Sequence, residues 1–271
     1  MKQELIESGF YPEFKSNLEK CLKSLDGRQI EQMICYGLGS FVNGFSMVAA
    51  RYQLALTLLL YEELVQQGCP LASDIEIYDP LFDNDDKDVL TSFTCPKFTL
   101  IEKNEHCARK VTTSGDNRCV LVFMPHLDNE FYNNLLGANW DADSLSKLVI
   151  LGNDLALLYN DPFHAKKLKT KFHYVYHLLN NFSEFTKKKR KRVATDSDIG
   201  TNNSPNGKAL IQVPLRENFD ELAFGGAFSD LVYHLVNISW LKDNAQKIDR
   251  SRLKDWKCDV ITSYDHLFGD E

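Results

Sequence analysis

Gly37, Gly39 and Ser40 lie in the run Gln32–Phe41 (Gln-Met-Ile-Cys-Tyr-Gly-Leu-Gly-Ser-Phe), just ahead of a long apolar stretch. A buried strand, a glycine turn and a helix form the unit that presents ligands at the carboxyl edge of an open α/β sheet. The two glycines let the chain turn sharply and let a ligand approach the backbone. A helix start beyond them would offer N–H groups to an anion. Asp79 stands after a second apolar run, the address of an acid that accepts ribose hydroxyls. It follows the glycine turn by about 40 residues, against roughly 20 in the dinucleotide fingerprint. Val42 occupies the place of the third glycine in Gly-x-Gly-x-x-Gly, and Gly44 comes two residues later. His126 follows a fourth apolar run, where an imidazole that titrates near neutrality can carry a proton. Asn153 and Asp154 follow a fifth. These positions define the expected site: Gly37, Gly39, Ser40, Asp79 and Asn153 for a cofactor, His126 as candidate catalytic group.

Each assignment has a plainer counterpart. The glycines alone fit a structural βα turn, Asp79-Pro80 fits a strand-ending turn, and His126 fits a loop histidine bonded to a backbone carbonyl. Arg51 could reach a phosphate, but a charge so near the core is expected to pair structurally, for example with Asp79. His173 and His177 are four residues apart, which puts two imidazoles on one helix face. No acid or third ligand accompanies them, so no metal is assigned. Seven cysteines, at 21, 35, 69, 95, 107, 119 and 258, form no Cys-x-x-Cys pair, so neither a disulfide framework nor a zinc ribbon is indicated. Hydrolase elbows, phosphate-loop motifs and His-Glu-x-x-His are absent from the sequence.

The elements that must position these residues alternate. Strands are expected at Ile30–Tyr36, Ile75–Tyr78, Lys97–Ile101, Arg118–Met124 and Lys147–Leu151. Helices are expected at Met47–Gln67, Asp85–Phe93 and Asp128–Trp140. Such alternation predicts a three-layer, Rossmann-like α/β domain with a mostly parallel sheet. The strands are apolar throughout, as when both faces are covered. Leu210–Pro214 and Phe228–Ile238 read as strands that pair antiparallel at the C-terminal edge, and Tyr174–Leu179 reads as strand or helix. At the N-terminus, Phe10, Phe14, Leu18, Cys21, Leu22 and Leu25 recur at helical spacing across Ile6–Leu25. Residues 1–27 are therefore expected to be an amphipathic helix packed on the main domain, 28–271, with a flexible basic insertion at 186–208.

The 271 residues carry a net charge of −7 and are 44% hydrophobic, enough for a sizeable core and against a global nucleic-acid footprint. Nucleic acid is expected at most at the basic run Lys187–Arg192, which also reads as a nuclear-import signal. Apolar cysteines such as Cys35 and Cys119 fit a reducing compartment. The start of the chain lacks a secretory h-region, and Leu54–Tyr61 is too short to span a membrane. A soluble protein, cytoplasmic and on the basic run also nuclear, is expected.

An ordered set of motifs resembles the sensitivity-to-red-light-reduced, or SRR-like, family. It comprises Cys35–Gln53, Tyr78-Asp79-Pro80, Met124-Pro125-His126, Asn133-Asn134-Leu135-Leu136, Asn139-Trp140, Gly152-Asn153, and Ala227-Phe228-Ser229-Asp230 with His234. Two departures stand out: Asp154, where a serine usually follows the asparagine, and the basic insertion. The resemblance implies a regulatory protein, tied to circadian and light signalling in plants and to haem biosynthesis and clock-gene expression in animals. No enzymatic activity is settled for the family, so the cofactor is left unknown. A small nucleotide-like ligand and protein partners are expected at the cleft. Haem is a further candidate, at Cys69-Pro70 or Cys95-Pro96, since thiolate can serve as an axial ligand. The competing reading is a nucleotide- or S-adenosylmethionine-dependent, methyltransferase-like enzyme using the same cleft. A third is a nuclear interaction module acting through Lys187–Arg192.

Overall fold

A computed structural model describes residues 1–72, 74–155, 162–182, 210–215, 223–228 and 230–250. The expected basic insertion at 186–208, Ser229 and Cys258 lie outside the described residues.

Seven strands form one sheet: β1 Gln29–Tyr36, β2 Asp74–Tyr78, β3 Lys97–Leu100, β4 Arg118–Met124, β5 Leu148–Asn153, β6 Leu210–Pro214 and β7 Leu231–Val236. Their order is β3-β2-β1-β4-β5-β7-β6. The first five run parallel to one another, whereas β7 runs antiparallel to both β5 and β6. The α/β class, the parallel core and the antiparallel C-terminal strands are thus as the sequence predicts. The direction of travel reverses between β1 and β4, the switch point at which such sheets open a crevice.

Why the strands are apolar without alternation is visible on β4. Cys119, Leu121 and Phe123 join one buried cluster, while Val120, Val122 and Met124 join the other. Successive side chains point to opposite faces, and helices cover both. One layer holds α1 Lys2–Glu7, α2 Phe10–Lys23, α3 Met47–Gln66 and α4 Asn84–Thr91. The other holds α5 Asn129–Ala138, α6 Ala142–Lys147, α7 Pro162–Lys171, α8 His173–Phe182 and α9 Ile238–Arg250.

The single N-terminal helix expected over Ile6–Leu25 is two helices, because Ser8 is extended (φ −85°, ψ 164°). Its predicted apolar face is buried at Phe10, Phe14, Leu18, Cys21 and Leu25. Phe10 stacks on Phe228 at 4.8 Å and on Phe14 at 5.9 Å. Lys15 reaches the buried Glu63 of α3 at 3.1 Å, and the Tyr11 hydroxyl also donates to that carboxylate.

Tyr174–Leu179 is helical, within α8. Phe228–Ile238 is only partly strand: β7 starts at Leu231, Ala223–Gly226 is a 3₁₀ turn, and Ile238 opens α9. Among the described residues no helix is long and apolar enough to cross a membrane.

Candidate functional site

The carboxyl ends of β1, β2, β4 and β5 share one rim, and the turn entering β7 joins them. Gly37 and Gly39 hold φ of +73° and +77°, a conformation that disfavours any side chain. A Cβ on Gly37 would also collide with the Leu127 side chain. The close approach that Gly37 permits is therefore to the protein's own leucine.

The glycine turn does not run straight into its helix; α3 starts at Met47. Between them the chain forms a loop whose amides are taken by side chains. Gly39 N donates to Asp79 Oδ2 at 2.6 Å. Phe41 N and Val42 N donate to Asp86 Oδ1 at 2.7 and 3.1 Å. Asn43 N donates to Ser40 Oγ at 2.9 Å. Asp86 is 0% exposed and closes the capping box of α4 with Asp83. Two carboxylates thus fill a cradle of the kind that binds phosphate elsewhere.

Asp79 is 8% exposed and also accepts Leu81 N at 2.8 Å. Burial raises its pKa, against the lowering effect of those amides. A carboxylate has about four acceptor positions, so two bonds leave it capacity for a ligand. Arg51 does not pair with Asp79; its Nε donates to the Phe41 carbonyl at 2.6 Å, while Asp79 is turned to the amides of Gly39 and Leu81.

On the other side of the switch point, Asn153 is a hub. Its Oδ1 accepts His126 N at 2.7 Å, and its Nδ2 donates to Leu127 O at 3.0 Å. Its backbone N donates to Tyr132 Oη at 2.8 Å, and its carbonyl faces His234 Nε2 at 2.9 Å. Gly152 is glycine because Tyr132 lies against it: a Cβ would come within 2.7 Å of Cε1. The Tyr132 hydroxyl in turn donates to the Met124 carbonyl, tying β4 to β5. His234 is buried, and that burial lowers its pKa.

His126 is left-handed (φ 54°). Its Nε2 meets the Ala227 carbonyl at 3.0 Å, so that nitrogen carries a proton. The same carbonyl accepts Gln53 Nε2 at 3.3 Å. Nδ1 faces Asp230 Oδ1 at 4.0 Å, with both side chains partly exposed. Burial raises the Asp230 pKa, His126 opposes the rise and Asp154 adds to it.

The structure therefore brings Gly39, Ser40 and Asp79 into one cluster and His126 and Asn153 into another, with Gly37 and Leu127 in contact between them. Asp86, Tyr132 and Asp230 escaped the site reading of the sequence. The spacing Asp83…Asp86 ahead of an apolar pair is a capping-box signal and was available; nothing local points Asp86 at Phe41. The asparagines of α5 and its C-cap are structural: Asn133 Oδ1 accepts Tyr174 N, and the capping Asn139 holds Val111 N and Arg109 O. Cys69 and Cys95 precede β2 and β3, at the sheet edge opposite the rim. His173 and His177 lie on α8.

The model of the SRR1 domain matches residues 13–235. The chain belongs to the SRR1 family. It is 36% identical over 143 residues to the SRR1-like protein of Mus musculus, covering 52% of this chain and 51% of that one. It is 30% identical over 161 residues to the protein SENSITIVITY TO RED LIGHT REDUCED 1 of Arabidopsis thaliana, covering 57% and 53%. The SRR1 chain described here thus spans about half the length of these relatives. No solved structure matches it. The SRR1 match takes in every rim residue named above, from Gly37 to Asp230.

Proposed function

We propose that the protein is a regulator in light- or clock-linked signalling or in the control of haem biosynthesis, acting through a small ligand or a protein partner bound at the rim. Family membership and the name of the Arabidopsis relative support the signalling part. The observation that carries the rim is the convergence of Asp79 on Gly39 and of Asn153 and Ala227 on His126. Segments separated by up to 101 residues meet beside the switch point, where ligands bind open sheets.

The test is rescue of cells that lack the gene, read as light- or clock-dependent transcript levels. Wild type restores the response, while His126→Ala and Asp79→Asn do not, although both accumulate and melt as folded proteins. Full rescue by both variants would remove the rim from the reading.

The strand order favours a second reading. A reversed strand between β5 and β6 is the arrangement of methyltransferase-like sheets, an analogy of fold and not of chemistry. The cofactor would lie on the glycine turn with its ribose at Asp79. S-adenosylmethionine at a hundred times its dissociation constant would then add about 2.7 kcal/mol of stability. Absence of any thermal shift rejects this enzyme.

A further inference from the structure

Phe45 stands wholly exposed between the glycine turn and α3. It holds the position just before the N-cap Ser46. An apolar residue there ordinarily folds back onto the fourth helical residue as a hydrophobic staple. That residue is Ala50, which is buried and whose methyl group faces Gly39. A side chain as exposed as Phe45 is not stapled, so packing within the chain does not explain it.

Single exposed apolar residues are ordinary on a protein surface, and a cluster of them is what marks an interaction site. Among the described residues the exposed large apolar side chains are Met1, Phe45, Val48, Val65 and Leu81. Three of these stand around Gly39. Asp79 accepts Gly39 N at 2.6 Å through one carboxylate oxygen and Leu81 N at 2.8 Å through the other. On the opposite side of Gly39, Ser46 Oγ lies 3.7 Å from where a Cβ would stand, and Ser46 sits between Phe45 and Val48. The half-buried Phe82 joins the patch beside Leu81, with its ring 5.2 Å from that of Phe41.

The border of this patch is acidic. Asn43 Nδ2 donates to Asp83 Oδ2 at 2.7 Å, which fixes the start of α4 beside the loop. Asp83, Asp85 and Asp86 lie in that start, and Asp79 adds a fourth carboxylate, against Arg51 and Lys87 as neighbouring cations. A negative border repels nucleic acid and anionic lipid and attracts cationic protein. Outward apolar side chains beside carboxylates are matched by a surface that is apolar and basic at once. An amphipathic helix carries both on one rigid element.

We propose that this face of the rim docks a basic amphipathic helix of a partner protein. Its apolar stripe rests on Phe45, Val48 and Leu81, and its lysines or arginines face Asp83 and Asp85. The proposal rests on the partner-binding reading of the rim and names the chemistry of the partner.

The probes are a labelled amphipathic Leu/Lys helix peptide and its Leu/Glu counterpart, titrated with the full chain by fluorescence anisotropy. The Leu/Lys peptide should bind more tightly by about tenfold or more. Phe45→Ser and Asp85→Lys should each weaken it by about tenfold, whereas Val65→Ser, an exposed apolar position at the far end of α3, should not. Because these side chains are exposed, the variants should melt with wild type. Absence of binding, equal binding of both peptides, or equal weakening by Val65→Ser overturns the proposal. So does a dimer that Phe45→Ser dissociates in analytical ultracentrifugation, which assigns the face to a second copy, or capture of anionic vesicles through Phe45. In the rescue assay, full activity of Phe45→Ser alongside failure of His126→Ala overturns this docking face and leaves the rim reading in place. Full rescue by Phe45→Ser, His126→Ala and Asp79→Asn overturns both.

Discussion

Asp86→Ala tests whether the glycine loop is held by a buried carboxylate. The wild-type side chain is 0% exposed and accepts Phe41 N, Val42 N and Asp83 N at 2.7, 3.1 and 3.2 Å. Phe41 is itself buried at 2% exposure, so its amide finds no water once the carboxylate is gone. An unsatisfied buried donor costs about 1–3 kcal/mol. Loss of the reciprocal cap on α4 costs about 1 kcal/mol more. Val42 and Asp83 are half-buried and recover water, adding only a fraction. The expected loss is about 2–4 kcal/mol, placing Asp86→Ala among the more damaging substitutions. Asp86→Asn keeps an oxygen for Phe41 and Val42 but sets an amide against Asp83 N, so it should cost about 1–2 kcal/mol. Urea unfolding followed by tryptophan fluorescence measures both. An alanine variant within about 1 kcal/mol of wild type would refute the reasoning, as would an asparagine variant equally damaging.

His234 couples the rim to pH. Burial lowers its pKa from 6.5, so the unfolded chain takes up its proton first as pH falls. The stabilisation is complete above the unfolded value and is lost as pH drops below about 6.5. Ring ¹⁵N shifts should keep His234 neutral below that value, and His234→Gln should flatten the acid limb of stability; an unchanged limb argues against the burial. Gly152→Ala places a methyl group on the Tyr132 ring and should cost about 1–3 kcal/mol by overpacking. Tyr132→Leu in the same chain should relieve part of that clash, and strictly additive losses in the double variant would contradict the contact.

The parallel strands and α3 were legible because local pattern decides them. Apolar runs such as Arg118–Met124 have to be covered on both faces, and helical spacing from Phe10 to Leu25 has to bury one face. The break at Ser8 and the helix α9 escaped the reading although the sequence marks both: Ser8-Gly9 is a turn dipeptide, and Ile238–Arg250 is strongly amphipathic. In the C-terminal part, Phe228 had the composition of a strand, yet it stacks on Phe10 from a turn.

By itself the sequence determined the layered α/β class, the order of the parallel elements, and which loops fall at strand ends, since these follow from periodicity and turn chemistry. Only the tertiary structure decided what those loops do. It aimed Asp79 and Asp86 at the amides of the glycine loop, turned Asn153 into a hub and set Asp230 opposite His126. Hydrogen-bond partners 27 to 101 residues apart leave no local trace, because direction and distance between side chains arise only when the sheet is assembled.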